Sequence, residues 1–237
     1  LGRWLKAGID RPVISHKPIK VSKVDGAMTL VCEQTATMPG GNIKFRTQYQ
    51  FGRDQTLLVS HEFEIAKSLP DLPRIGVRLV LPTEFEAFSW FGRGPHETYN
   101  DRQTSGTIAQ HSSTVSDQYV PYILPQDHGN LTDIRWLQVG KINGQAIKVR
   151  AMTAMEASVS HYPHEILTPA YHTYEVLPQA PTWVCLDAMQ RGVGGASCGP
   201  DTLEEYRVKP GRYSLAYCLS VNDEADFNRP GKPAAPK

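Results

Sequence analysis

The chain contains Asn42-Ile43-Lys44-Phe45-Arg46-Thr47-Gln48-Tyr49-Gln50-Phe51, and this stretch decides the class of fold. Apolar and polar side chains alternate along it, with aromatics on one face, which is the period of a half-buried β-strand. Gly52-Arg53-Asp54-Gln55 has the composition of a turn. The alternation then returns in Thr56-Leu57-Leu58-Val59-Ser60-His61-Glu62-Phe63-Glu64-Ile65. We therefore predict two consecutive strands joined by a turn.

Strand patterns recur along most of the chain. They cover Ala27–Glu33, Ile75–Leu81, Asp133–Val139, Ala146–Ala151, Thr182–Asp187 and Gly211–Leu219. Turn pairs such as Asn143-Gly144 separate some of them. Only Leu1–Gly8 and Ser160–Leu167 have room for short helical turns. Many strands joined by polar loops, without βαβ spacing, predict an all-β fold, a large antiparallel β-sandwich.

The chain has no linker in its middle, so we predict one domain over residues 1–221. Residues 222–237 are rich in proline and lack apolar periodicity, which predicts a disordered tail. Leu1 is not an initiator Met, and we expect the chain to be a piece of a longer protein. The compartment of that protein stays open.

The composition excludes some partners and sites. Lys and Arg number 25 against 24 Asp and Glu, without a basic stripe, so we expect no nucleic-acid partner. The apolar runs are too short to span a membrane. Cys32, Cys185, Cys198 and Cys218 form no CxxC, which argues against structural zinc. All but Cys198 lie in strand patterns and are expected to be core residues.

The segment Trp90–Arg102 is the first candidate for function. Two glycines, an arginine and a proline predict a tight turn after a strand, followed by a loop dense in hydrogen-bonding groups. Such a loop on a rigid sheet can hold a sugar, although it can equally be a satisfied polar turn. The residues that we expect to line a polar groove are Arg93, His96, Glu97, Asp101, Arg102, Asp127 and His172.

The segment Asp187–Asp201 is the second candidate. Its four glycines and a proline predict a loop rather than a strand. Phosphate binding is disfavoured because no G-K-[ST] follows and no helix begins there. We expect a rigid loop that projects Ser197 and Cys198 into a neighbouring cleft.

Acid–base and metal chemistry have candidates but no decisive pattern. Glycoside hydrolysis needs two carboxyl groups, for which the chain offers Glu97, Asp101, Asp127, Asp133, Glu156, Asp187 and Asp201. His161, His164 and His172 could form a metal cluster, but Pro163 interrupts it and ordinary hydrogen bonds are the better interpretation. Alternation would place His172, Tyr174 and Val176 on one sheet face, where His172 is either a core residue or part of a groove.

Three segments taken together resemble the C-terminal, fifth domain of LacZ-type, family 2 β-galactosidases, the small-chain region of those enzymes. They are Trp90–Arg102, Tyr119–Trp136 and Asp187–Asp201, and the similarity runs in the same order from about Trp4 to Leu219. The resemblance implies an antiparallel supersandwich, similar in fold to galactose mutarotase. Within the second segment, His128 and Leu131 depart from the Asn and Arg that the family often carries.

The resemblance also implies a division of labour. The catalytic glutamates and the Mg²⁺ and Na⁺ sites of the family lie in a central barrel, so we expect no catalytic residue, metal or other cofactor in this chain. Its partners would be that barrel, the other domains of a homo-oligomeric parent and the β-galactoside substrate. The family contributes a loop to the active-site rim, and this loop corresponds to Gly194, Gly195, Ser197, Cys198 and Gly199. Where some members carry a stacking tryptophan, this chain has Cys198, which implies a looser grip on the leaving group.

Two other functions fit the same fold. An autonomous aldose 1-epimerase would need a general acid and a general base, for which His96, His172, Glu97 or Asp127 are available. The Asn-x-x-x-His strand motif of such epimerases is not evident. A carbohydrate-binding module would need exposed aromatics, whereas Trp90, Trp136 and Trp183 lie in strand patterns where burial is expected.

Overall fold

The structure is a computed structural model that describes residues 1–24, 26–52, 55–142, 144–194 and 199–222. Its helices are α1 (Gly2–Ala7) and α2 (His164–Leu167), with 3₁₀ turns at Ser116–Gln118, Thr173–Glu175 and Glu204–Tyr206. Its strands are β1 (Val13–His16), β2 (Lys20–Val24), β3 (Ala27–Met38), β4 (Gly41–Phe51), β5 (Leu57–Ile65), β6 (Arg74–Leu81), β7 (Ala87–Gly94), β8 (Thr107–Thr114), β9 (Trp136–Gly140), β10 (Ala146–Ala151), β11 (Glu156–Ser160), β12 (Thr182–Gln190) and β13 (Arg212–Asn222). Within these described ranges no helix has the length and apolar character to cross a membrane.

The strands of the described chain form two antiparallel sheets. The large sheet has the order β1-β3-β4-β5-β13-β10-β9-β7-β8, and β2 also pairs with β3. The small sheet has the order β11-β12-β6. Strands β3, β4 and β5 are sequential neighbours, with Phe45 opposite both Gln34 and Phe63. The predicted all-β, antiparallel architecture is confirmed.

The main hydrophobic core lies between the two sheets. Strand β7 contributes Phe88 and Trp90, which are fully buried with ring centroids 4.7 Å apart. Val184 and Leu186 from β12 and Leu215 from β13 belong to the same cluster. Because each fully buried large apolar side chain contributes about 1.5–3 kcal/mol, this contact holds the small sheet on the large one.

Most predicted elements are confirmed. Strands β3, β4, β5, β6, β10, β12 and β13 each contain or overlap a stretch that the alternation predicted, and α1 and α2 fall inside the two predicted helical regions. Arg53, Asp54 and Asn143, which belong to predicted turns, lie outside the described residues. Asn222 is the last residue of β13, and the rest of the predicted tail, 223–237, also lies outside them.

Three predicted boundaries are wrong. The predicted tight turn at Gly92–Gly94 is instead the end of β7, because this segment pairs with β8. Strand β9 begins at Trp136 rather than Asp133, because Asp133 has a left-handed backbone with φ of 59°. Strand β12 continues through Gln190 before the glycine-rich loop begins, since its pairing with β6 extends that far.

The cysteines and tryptophans differ in burial. Cys185 is buried as predicted, whereas Cys32 and Cys218 are only partly buried. Cys32 lies opposite Thr47 where β3 pairs with β4. Of the three tryptophans expected to be buried, Trp90 is fully buried, and the other two are partly exposed: Trp136 and Trp183.

Candidate functional site

The carboxylate of Glu97 is the centre of the first cluster. Tyr122 and Arg102 donate to its Oε1, and the Gly129 N–H donates to Oε2 at 2.8 Å. Burial opposes ionisation of this carboxyl, but the hydrogen bonds from Tyr122, Gly129 and Arg102 outweigh it and hold the pKa of Glu97 below its ordinary value. Glu97 is therefore an ionised group that ties the 95–102 loop to the 119–129 segment.

A cleft of about 490 Å³ opens beside this carboxylate. His96 lines it and makes a hydrogen bond of 2.9 Å between its Nε2 and Ser105 Oγ. The cleft combines charged and hydrogen-bonding side chains with apolar surface and has room for a small ligand. Its further lining residues are Pro95, Asp117, Gln118 and Val120.

Arg93 lies at the end of β7 and makes different contacts. Its Nε donates to Asp133 Oδ2 at 2.6 Å. Its Nη1 donates to the carbonyl oxygens of Gln103 and Gly106, at 3.3 and 3.0 Å. Arg93 therefore holds the loop that leads into β8 and does not line the cleft at Glu97.

Asp101 anchors the N-terminal end of the predicted rim loop. Its carboxylate accepts hydrogen bonds from the N–H groups of Val193, at 3.1 Å, and Gly194, at 2.8 Å. It also packs so closely on Gly192 that a Cβ there would lie 2.6 Å from the carboxyl carbon. Gly194 has φ of +55°, a conformation that favours glycine.

Asp201 anchors the C-terminal end of this loop. It accepts hydrogen bonds from Arg191 and from Arg3 on α1, and both arginines also pair with Asp71. These hydrogen bonds, with Arg3 as the largest contributor, lower the pKa of Asp201. Gly199 is described and exposed, whereas Gly195, Ser197 and Cys198 of the predicted rim loop lie outside the described residues.

Asp127 belongs to a separate charged cluster around Arg74. Arg74 donates to Asp127 at 3.2 Å and forms a bidentate salt bridge with Asp187. His164 Nε2 lies 3.0 Å from Asp127 Oδ1, and Gln190 donates to its other oxygen at 2.6 Å. Burial opposes the ionised form of Asp127, but His164 and Arg74 outweigh it and lower the pKa of Asp127 to about 2. The cluster is a network of ion pairs and hydrogen bonds that joins β6, β12 and the 126–130 segment.

Glu156 is the buried carboxyl with the opposite behaviour. It accepts hydrogen bonds from the Asn130 side chain at 2.7 Å, the Asn100 side chain at 3.1 Å and the Gln190 N–H at 3.2 Å. Burial is the largest influence and raises the pKa of Glu156 to about 7, with the charge of Asp187 acting in the same direction. Sequence reasoning could not separate Glu156 from the other carboxylates, because its donors come from distant segments.

The three histidines considered for a metal cluster do not come together. His172 is exposed and contacts Glu175 at 3.0 Å, and residues 173–175 form a 3₁₀ turn, so the predicted sheet face of His172, Tyr174 and Val176 is wrong. A local capping interaction replaces the strand there. His161 contacts Glu86 at 2.7 Å, whereas His164 contacts Asp127 and Arg74. In the described part of the chain no group of three or more His, Cys, Asp or Glu side chains could hold a metal ion.

The predicted groove residues thus fall into five places. Glu97, Arg102 and His96 share the cleft, Asp101 lies at the N-terminal end of the rim loop, Asp127 lies in the Arg74 cluster, and Arg93 and His172 lie apart from all of these. Arg74, Tyr122 and Gly129 are partners that sequence reasoning missed. Tyr122 and Gly129 lie in the quoted 119–136 segment, but no local signal in the sequence points to Arg74.

Comparison with known families gives a match over most of the chain. The family described as "Beta galactosidase small chain" matches residues 1–219. A β-galactosidase of Vibrio cholerae is 32% identical over 200 residues, which is 82% of this chain and 18% of that protein. A β-galactosidase of Arthrobacter sp. is 29% identical over 225 residues, which is 87% of this chain and 21% of that protein. The chain therefore spans about a fifth of the length of these relatives.

Comparison with solved structures gives more distant similarities. The galactose 1-epimerase of Lactobacillus acidophilus has a TM-score of 0.49 and 8% sequence identity, over 87% of this chain and 66% of that one.

Proposed function

We infer that this chain, which belongs to the β-galactosidase small-chain family, acts as a non-catalytic accessory domain of a longer enzyme that hydrolyses terminal β-galactosides. The observation that carries this proposal is the family match over residues 1–219, combined with coverage of only about a fifth of each relative. The parent would be a family 2 glycoside hydrolase and a homo-oligomer. Its catalytic barrel, with the Mg²⁺ and Na⁺ ligands, would lie outside this chain.

The state of the carboxylates supports a non-catalytic role. Glycosidases place two carboxyl groups on either side of the scissile bond. Here Glu97 is held by Tyr122 and Arg102, while Asp127 and Asp187 share Arg74. Carboxylates committed to internal cations serve as structural joints, which agrees with catalysis elsewhere in the parent.

The anchoring of the 192–201 loop supports its proposed place at the rim of the parent's active site. Asp101 anchors one end of the loop and Asp201 anchors the other, so both ends of the segment between them are fixed. Such a loop can contribute to substrate binding without contributing a catalytic group. Gly194, Gly195, Ser197, Cys198 and Gly199 are its proposed contact residues.

The first test is an activity comparison between this purified chain and the full-length parent. We expect the parent to hydrolyse a chromogenic β-galactoside. The isolated chain should neither hydrolyse that substrate nor catalyse mutarotation of α-galactose. Mutarotation above the buffer rate would contradict the proposal and favour an aldose 1-epimerase. Glycan binding by the inactive chain would favour a carbohydrate-binding module.

A further inference from the structure

Glu156 is a buried carboxyl for which the proposed function has no use so far. It is the first residue of β11 and is only 7% exposed. Its Oε1 accepts hydrogen bonds from the Asn100 side chain, at 3.1 Å, and from the Gln190 N–H, at 3.2 Å. Because burial of a carboxyl group is costly, its presence here calls for a reason beyond filling space.

Asn100 connects Glu156 to the end of β12. The same Asn100 Nδ2 that donates to Glu156 also donates to the carbonyl oxygen of Gln190 at 2.9 Å. Gln190 is the last residue of β12, and the 192–201 loop follows it directly. Glu156 and Asn100 therefore bind both backbone groups of the residue at which the strand ends and the chain turns into that loop.

Asn130 fixes the same region from the other side of the carboxyl group. Its Nδ2 donates to Glu156 Oε2 at 2.7 Å and to the carbonyl oxygen of Thr98 at 3.0 Å. The two oxygens of Glu156 thus hold the 98–100 segment at both of its ends, through Asn130 at Thr98 and directly at Asn100.

The next residue in the chain carries this order into the loop. Asp101 follows Asn100, and its carboxylate binds the N–H groups of Val193, at 3.1 Å, and Gly194, at 2.8 Å. Adjacent Cα atoms are separated by a fixed distance, so a shift of Asn100 displaces Asp101 and the acceptor that it offers. The hydrogen bonds therefore run without a break from Glu156 to the loop.

We propose that Glu156 is a positioning residue for substrate binding in the parent enzyme, because it fixes, through Asn100 and Asp101, where the 192–201 loop lies at the leaving-group side of the β-galactoside. This rests on the proposed function, which places that loop at the active-site rim. Glu156 acts through other residues and contributes no catalytic group. Its effect is expected only on substrates whose leaving group is large enough to reach the loop.

Hydrogen exchange in the full-length parent tests the positioning without any assay of activity. Glu156→Leu removes the acceptor, and Asn100→Ala, at a partly exposed position, breaks the connection with less risk to folding. Both should speed exchange of the Val193 and Gly194 amides by about three- to tenfold, because their acceptor is no longer held in place. Unchanged exchange in both variants would overturn the proposal.

Two further variants separate positioning from a general loss of stability. Glu156→Gln keeps a side-chain oxygen for Asn100 and should leave exchange at the loop within about twofold of the original. Thr182→Val removes another buried hydrogen bond, from Thr182 Oγ1 to the Phe85 carbonyl oxygen at 3.0 Å, at the opposite end of β12. It should leave the loop amides unchanged, and an acceleration equal to that in Glu156→Leu would contradict the proposal.

Kinetics of the same parent variants test the consequence for binding. Lactose has a glucose leaving group that can reach the loop, whereas β-galactosyl fluoride releases a single atom. Glu156→Leu and Asn100→Ala should lower kcat/KM for lactose by about three- to tenfold and leave that for the fluoride unchanged. Glu156→Gln should restore the value for lactose, and equal losses on both substrates would contradict a role at the leaving-group side.

The two readouts distinguish failure of this proposal from failure of the proposed function. If the parent hydrolyses neither substrate while exchange at Val193 and Gly194 responds to the variants, the proposed function fails and the positioning of the loop by Glu156 stands. If the parent hydrolyses both substrates and neither readout responds to Glu156→Leu or Asn100→Ala, the positioning role fails and the proposed function stands.

Discussion

At the scale of single residues, Glu97 joins three parts of the chain through one carboxylate. It receives donors from Arg102, Tyr122 and the backbone of Gly129. Because Glu97 is buried, removal of its charge would leave those donors without an adequate acceptor. Its role is therefore visible in stability and in the shape of the cleft beside it.

Glu97→Gln should lower the free energy of unfolding at neutral pH by about 1–3 kcal/mol, the cost of unsatisfied buried hydrogen-bonding groups. The folded pKa of Glu97 lies below its ordinary value, so its contribution is present above that ordinary value and is lost as the pH falls through the folded pKa. Urea unfolding at pH 7 and in acid should thus show a difference that shrinks in acid. Asp117→Asn changes an exposed carboxylate of the same cleft, and an equal loss in that control would contradict the prediction.

His61 gives a second dependence on pH. Burial lowers its pKa from an ordinary 6.5 to about 4, so the unfolded chain takes up a proton before the folded chain does. Its contribution to stability is complete above about pH 6.5 and decreases as the pH falls toward 4, by at most about 1.4 kcal/mol per pH unit.

His61→Gln removes this titration and keeps hydrogen-bonding groups near Thr47 and Tyr217. The free energy of unfolding of the variant, measured from pH 7 to 4, should depend less steeply on pH than that of the unsubstituted chain. His16→Gln changes an exposed histidine and should keep the original profile. Identical profiles for all three proteins would show that His61 does not titrate as expected.

At the scale of elements, the 192–201 loop shows how carboxylates from other parts of the chain determine where a loop begins and ends. Asp101 binds the N–H groups at one end, and Asp201 links the other end to α1 through Arg3. Gly192 and Gly194 are needed because the carboxylate and Thr202 lie too close for a side chain. The loop therefore has fixed ends whatever its tip contacts.

Cys198→Trp in the full-length parent should lower the KM for lactose. An indole face stacks on sugar C–H surface better than a thiol, and roughly two- to tenfold is expected, equivalent to about 0.5–1.4 kcal/mol. Cys198→Ser, which removes the thiol without adding a ring, should leave the KM unchanged. A Trp variant with the KM of the original enzyme would count against the proposed rim position.

At the scale of the whole molecule, the core between the two sheets stabilises the domain. The composition of the C-terminal residues predicts an unstructured extension. Deletion of residues 223–237 should change the free energy of unfolding by less than about 0.5 kcal/mol, as for surface changes away from packed groups. Deletion from residue 215 onward should abolish cooperative unfolding, because Leu215 and Tyr217 are buried in the core. Thermal unfolding of both truncations checks this, and a large loss from the first one would contradict the predicted tail.

How much of this structure the sequence predicts depends on how far apart along the chain the interacting residues lie. Alternation predicted β4 and β5 because the two-residue period of a strand is a local property. Pattern reasoning failed at Gly92–Gly94, where the glycines suggested a turn but pairing with β8 extended the strand. It also failed at His172, where a short-range contact with Glu175 formed a 3₁₀ turn instead.

The sequence by itself determined the fold class, the paired strands at its centre and the membership of the family, since these depend on periodicity and on motifs in order. Only the tertiary structure decided which charges meet. Arg74 and Asp187 lie 113 residues apart in the chain, and Asp101 reaches Gly194 across 93. Such pairs depend on which strands become neighbours, and a local pattern carries no information about that choice. For the same reason, the donors that meet at Glu156 became visible only once both sheets were assembled.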